Sequence, residues 1–119
     1  MRFIISGRLP SLNDYTKANR GNKYAGNTLK QDTQQLISLY IPKWVTIEKP
    51  VTIEFRWYEQ NMKRDLDNVA FAKKFILDAL VNKGILVDDG WKQVVGFSDE
   101  FYVDKKNPRV EVDIHEQED

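Results

Sequence analysis

The chain has 119 residues, no cysteine, one histidine and no formal net charge. That length suits one domain burying roughly two-thirds of the surface its unfolded form exposes. The composition excludes a disulfide framework, a thiolate zinc site and a multi-histidine metal centre. No apolar run approaches the ~20 residues of a membrane span, and Met1 to Ile5 is too short for a signal peptide. The expected setting is the reducing cytoplasm. The neutral total hides an asymmetry that bears on partners: residues 1–47 carry seven basic and two acidic side chains, and residues 88–119 carry ten acidic and four basic.

In chain order, Arg2 to Gly7 reads as a first strand, with Phe3 and Ile5 alternating against Ile4. Residues 8–26 read as a long irregular loop, a kind usually functional or disordered in a small domain, with a solvated polar loop as the alternative. Its content favours function: Lys17, Arg20 and Lys23 are the expected phosphate contacts, and Tyr15 and Tyr24 the expected stacking faces. Thr28 followed by Gln31 has the form of a capping box. A helix is expected from there, with Leu29, Leu36, Ile37, Tyr40 and Ile41 on one face and Pro42 ending it. Val51, Ile53, Phe55 and Trp57 alternate with polar residues as a second strand. A second helix is expected over residues 69–83, with Val69, Ala72, Ile76, Ala79 and Leu80 inward and Gly84 as its stop. Strands over 94–103 and 109–115 follow, joined by a hairpin loop, and residues 116–119 read as a frayed tail. The order β-α-β-α-β-β predicts a single α+β domain: a mixed four-stranded sheet with two main helices packed on it. His115 and Glu54 read as surface strand residues, and Trp91 as core or interface packing.

The chemistry concentrates between Lys63 and Asp89. Asp65 and Asp67 are two residues apart beside Arg64, and Asp88-Asp89 follows the helix. On a helix, positions i and i+2 face opposite ways; on an extended segment they face the same way. Joint action of Asp65 and Asp67 therefore predicts an extended segment, with Asn68 as the helix N-cap. A third carboxylate from the 88–89 pair would close the group. Three carboxylates together call for a hard divalent cation such as Mg²⁺, which takes oxygen ligands and leaves room for phosphate. Such an ion beside basic residues suits phosphodiester hydrolysis. From spacing alone, both Asp pairs read equally well as turn residues.

Arg64-Asp65-Leu66-Asp67-Asn68, then Leu77-Asp78-Ala79-Leu80, then Val87-Asp88-Asp89, resembles the RusA-type Holliday junction resolvases. The resemblance covers the whole chain. It implies Asp65, Asp67 and Asp89 as the Mg²⁺ ligands, with Mn²⁺ as a substitute. It also implies a functional lysine four residues before Asp78, which is Lys74. The interval from Asp67 to that segment is about three residues longer than the family pattern, so Lys73 is the rival. Pro10-Ser11-Leu12-Asn13 is similar to a family segment near the N-terminus and adds Asn13 to the DNA contacts. Arg64 would hold the scissile phosphate through its fork, and Lys73 would join the DNA-binding set.

The implied activity is Mg²⁺-dependent cleavage of four-way DNA junctions by paired symmetric cuts, in a bacterial or prophage recombination role. Paired cuts call for a homodimer, since one small domain has room for one site; Trp57, Phe97 and Phe101 are interface candidates. The alternatives are a non-catalytic junction-binding module with the same fold and a Mg²⁺-dependent nucleotide hydrolase.

Overall fold

A computed structural model describes residues 1–118 of the chain. Its elements run β1 (Arg2–Ser6), α1 (Leu12–Gly21), α2 (Lys23–Ser38), β2 (Val51–Glu59), α3 (Leu66–Ala70), α4 (Lys73–Asn82), β3 (Val94–Val103) and β4 (Arg109–Glu116). The sheet order is β1-β4-β2-β3, with β2 and β3 parallel and both other pairings antiparallel. The expected α+β domain with a mixed four-stranded sheet is present, but β2 lies between β3 and β4, which therefore do not form the expected hairpin, and the second expected helix is divided into α3 and α4.

Alternation decides which face of the sheet is buried. Val51, Ile53, Phe55 and Trp57 of β2 meet Phe3 and Ile5 of β1 and Val110, Val112 and Ile114 of β4 on one face. Helix α4 supplies Phe75, Ile76, Ala79 and Leu80 to the same core. Trp57 is only 2% exposed. It belongs to this core and is withdrawn as an interface residue.

The opposite face carries a charge ladder. Arg56 donates to Glu111, Asp113 and Glu54, while Arg109 donates to Glu111 and Asp104. Burial, the largest influence on Glu111, pushes its carboxyl up, but the Arg109 and Arg56 hydrogen bonds outweigh it and hold the group below its usual range. Glu54 and His115 lie on this face 3.5 Å apart, as surface residues.

The N-terminal region departs most from expectation. Residues 12–21 are helix, not loop, and Ser11 caps it: its hydroxyl accepts from the Asp14 N–H and the Asp14 carboxylate accepts from the Ser11 N–H. That is a capping box closed by Asp in place of Glu or Gln. Helix α2 begins at Lys23, capped by the Asn22 side chain on the N–H groups of Tyr24 and Ala25. Thr28 is therefore interior, and its capping-box pattern with Gln31 is a coincidence of spacing. The helix closes at Ser38, four residues before Pro42, so Ile41 packs from beyond its end. Gly84, at φ +77°, follows the Lys83 C-cap of α4 and supplies the left-handed turn expected there. At the C-terminus, strand β4 runs through Glu116, and the Gln117 N–H bonds the Pro50 carbonyl. Asp119 lies outside the described residues.

Candidate active site

Strand β2 delivers the chain to the first aspartates. Past Glu59 it turns through Asn61, whose side chain accepts from the Lys63 N–H. Arg64 then ties this segment to the N-terminal region. Its guanidinium donates to the Leu9 carbonyl at 3.0 Å and to Asp14 at 2.9 Å, with Glu59 at 3.9 Å. Two of its five N–H donors are thus committed within the chain, and the others stay available to a phosphate.

Asp65, not Asn68, is the N-cap of α3, with φ −65° and ψ 151°. Asp67 already lies in the helix, in its first turn. The two carboxylates flank a strand-to-helix corner and do not share one extended segment. Both are exposed, as is Asp89.

Asp88 and Asp89 sit elsewhere. They follow Ile85 and Leu86, which are buried beside the carboxyl end of α4, and the Asp89 N–H bonds the Asp88 side chain at 2.8 Å. They border a cleft of ≈ 440 Å³ with Asp78, Asn82 and Lys30. Asp89 also adjoins the start of β3, beside Val94 and Phe97, whereas Asp65 adjoins its end, beside Phe101 and Val103. Extended chain rises about 3.3 Å per residue, so the two ends of this ten-residue strand are roughly 30 Å apart. Among the described residues, no three Asp, Glu, His or Cys side chains converge on a position that would hold a metal ion. The donor set Asp65, Asp67 and Asp89 has the right oxygen chemistry for Mg²⁺, but one chain does not assemble it.

The two lysines differ sharply. Lys73 is 20% exposed and its ammonium lies 2.7 Å from Asp99. It also stands over the rings of Phe97 at 4.7 Å and Phe55 at 5.4 Å. The other Asp99 oxygen accepts from the Trp57 indole N–H at 2.8 Å. Lys74 is 60% exposed, and its nearest carboxylate is Asp78 at 4.0 Å. The same Asp78 oxygen takes Gln34 and Lys30 from α2. Asp99 escaped the sequence reading although a signal existed: alternation along 94–103 places it on the face of Phe97 and Phe101, where a carboxylate needs a cation.

Of the N-terminal residues, Asn13, Lys17, Arg20 and Lys23 are exposed on α1 and at the start of α2. Lys23 stands 5.2 Å over the exposed ring of Tyr24. Tyr15 is not a free stacking face; it packs on Phe71 and Phe75 at 5.7 and 5.9 Å.

The sequence matches the family model of endodeoxyribonuclease RusA over residues 10–115. The chain belongs to the RusA endodeoxyribonuclease family. The match spans α1 to β4 and takes in all three aspartates, both lysines and Arg64. Membership makes this chain a DNA-cleaving hydrolase of the Holliday junction resolvase kind, acting in recombination. No curated protein sequence matches the chain. No helix among the described residues is long and apolar enough to cross a membrane.

Proposed function

We propose that this RusA-family chain resolves four-way DNA junctions as a Mg²⁺-dependent homodimer, with Asp65 and Asp67 of one chain completed by the Asp89 carboxylate of the second. The observation that carries this reading is the position of the aspartates at opposite ends of β3. A two-fold axis crossing the middle of that strand exchanges its ends, so it brings the Asp89 end of each chain to the Asp65 end of the other. Two sites then arise in one dimer, related by the symmetry of the junction they cut.

Held by such carboxylates, a divalent ion supplies a polarised phosphoryl oxygen and an activated water. The chain's own residues do the rest. Arg64 braces the Leu9–Asp14 segment against the Asp65 corner and offers its remaining donors to a phosphate. Lys74 is the cation free to meet negative charge developing on the leaving oxygen, because Lys73 is committed to Asp99. Asn13, Lys17, Arg20 and Lys23 form the basic surface along α1 and the start of α2 that tracks the phosphates of a DNA arm.

The test is cleavage of a labelled synthetic four-way junction beside a matched linear duplex, with Mg²⁺ and with EDTA. Paired, symmetric, metal-dependent nicks on the junction alone are expected. The Asp67→Asn protein should bind the junction as wild type does and leave it intact, since the amide keeps the shape but is a poorer ligand. Full cleavage by that variant sinks the metal site. Tight binding by wild type without any cut, in Mg²⁺ or Mn²⁺, points instead to a junction-binding module.

A further inference from the structure

A second arginine reaches the Asp65 corner from the end of β1. Gly7, at φ +87°, turns the chain there, and its N–H is fixed on the Pro108 carbonyl at 2.9 Å. Glycine takes that turn without strain. Leu9 then drops into the core, and Arg8 reaches across to Glu59, the last residue of β2. Its Nη2 donates to Glu59 Oε1 at 3.4 Å, and the Arg64 guanidinium stands 3.9 Å from the same oxygen. Glu59, Arg64 and Asp65 line one groove. Two guanidiniums thus meet at one carboxylate oxygen beside the first aspartate.

The two arginines are held unequally. Arg64 has bonds of 3.0 and 2.9 Å to the Leu9 carbonyl and Asp14, apart from Glu59. Arg8 has its single long bond to Glu59. Its Nε is buried without an acceptor, the one such side-chain nitrogen or oxygen among the described residues. The Nε and Nη2 of a guanidinium form a fork that two oxygens of one anion can take together. Glu59 fills one prong of it. A buried donor left unpaired weakens the seat it sits in. The Arg8 side chain is also 26% exposed against 14% for Glu59, so the cation has a way out to solvent.

We propose that Arg8 is a phosphate-binding residue stored on Glu59: when DNA binds, it leaves that carboxylate and closes both prongs of its fork on the strand phosphate next to the one Arg64 holds. This deepens the reading of Arg64 as a phosphate anchor and rests on it. Glu59 is then a competitor. It holds Arg8 while no DNA is bound and repels the phosphate that replaces it. The two members of this ion pair therefore act on DNA affinity with opposite signs, whereas a purely structural pair would act with one sign.

Anisotropy titrations of a labelled four-way junction in EDTA, across about 50–200 mM salt, test this. Arg8→Ala should bind about tenfold more weakly at low salt, as loss of one charge-assisted bond does. Its plot of log affinity against log salt should be shallower by about 0.9, the share of one phosphate. Arg8→Lys should restore the slope but not the full affinity, since an ammonium has no fork. Glu59→Gln should bind about threefold more tightly than wild type. Arg2→Ala removes an equal charge from the far face of the sheet and should keep the wild-type slope. An unchanged slope in Arg8→Ala overturns the proposal, as does an equal loss of slope in Arg2→Ala or a Glu59→Gln protein that binds no more tightly than wild type. Should Arg8→Ala fail to fold, Arg8→Lys decides: affinity equal to wild type overturns the fork. The titrations need no cleavage, so the two readings fail separately. A wild type that cuts junctions while Arg8→Ala keeps its slope rejects Arg8 alone, and a wild type that binds no junction rejects both.

Discussion

Adjacent lysines that look interchangeable in sequence should separate cleanly when each is truncated. Lys73→Ala removes an ammonium 2.7 Å from Asp99 and its stand over Phe97 and Phe55. A hydrogen bond to a charged group contributes about 1.5–3 kcal/mol, and the cation–π contacts about 0.5–1 kcal/mol more. Against this, the truncation releases rotamer entropy of about 1–2 kcal/mol held by an ordered lysine. Asp99 keeps its Trp57 partner and some water. The net loss is about 2 kcal/mol. An unfolding entropy of about 2.1 cal/mol/K per residue gives roughly 0.25 kcal/mol/K for this chain, so the melting temperature should fall by about 8 °C. Lys74→Ala removes an exposed side chain 4.0 Å from Asp78, a change of about 0.5 kcal/mol or less. Its melting temperature should stay within about 2 °C of wild type, and junction cleavage should drop about 100-fold with binding retained. Calorimetric melts and single-turnover cleavage of both variants supply the comparison. Equal melts for Lys73→Ala and wild type, or a Lys74→Ala protein that cleaves normally, would refute the division of roles.

Arg64→Ala should cost about 1–2 kcal/mol in a thermal melt by freeing the Leu9 carbonyl and Asp14, and Arg64→Lys should recover less than half, because one ammonium cannot span both partners; full recovery by lysine would show that charge alone matters there. Acid should unfold the protein through carboxylates whose folded forms titrate low. The Ser11 N–H bond is the main cause for Asp14, and the Arg109 hydrogen bond the main cause for Asp104; arginine bonds outweigh burial at Glu111. Depressed folded values mean that their stabilisation is complete above the usual carboxylate range and is lost as pH falls through the lowered values. Stability should hold from neutrality to about pH 5 and decline below about pH 4, and Glu111→Gln should flatten that decline; an unchanged acid profile in Glu111→Gln would contradict the role of the charge ladder.

Much of this molecule was legible where one physical signal dominated. Period-two alternation marked β2 and β4 because one face of each strand is buried and the other carries the charge ladder. Gly84 marked the end of α4 because only glycine takes that turn without strain. Helix α1 was invisible because it buries none of its residues fully, so no apolar stripe announces it, and its Ser11–Asp14 cap uses the less familiar acid. The aspartate geometry failed for a different reason. The requirement that Asp65 and Asp67 face one way placed both on one extended segment, whereas Asp65 caps α3 and Asp67 lies inside it. Trp91 resisted for another reason: tryptophan signals burial, and here it is exposed.

Mixed dimers test the shared site most directly. Asp67→Asn and Asp89→Asn chains, each inactive as a homodimer, are co-expressed, the heterodimer is isolated, and it is given a labelled four-way junction with Mg²⁺. With sites shared across the two-fold, one site carries both substitutions and the other carries none, so the heterodimer should nick a single strand. With sites confined to single chains, each would carry one substitution, and a well-folded heterodimer that leaves the junction uncut would contradict the shared site.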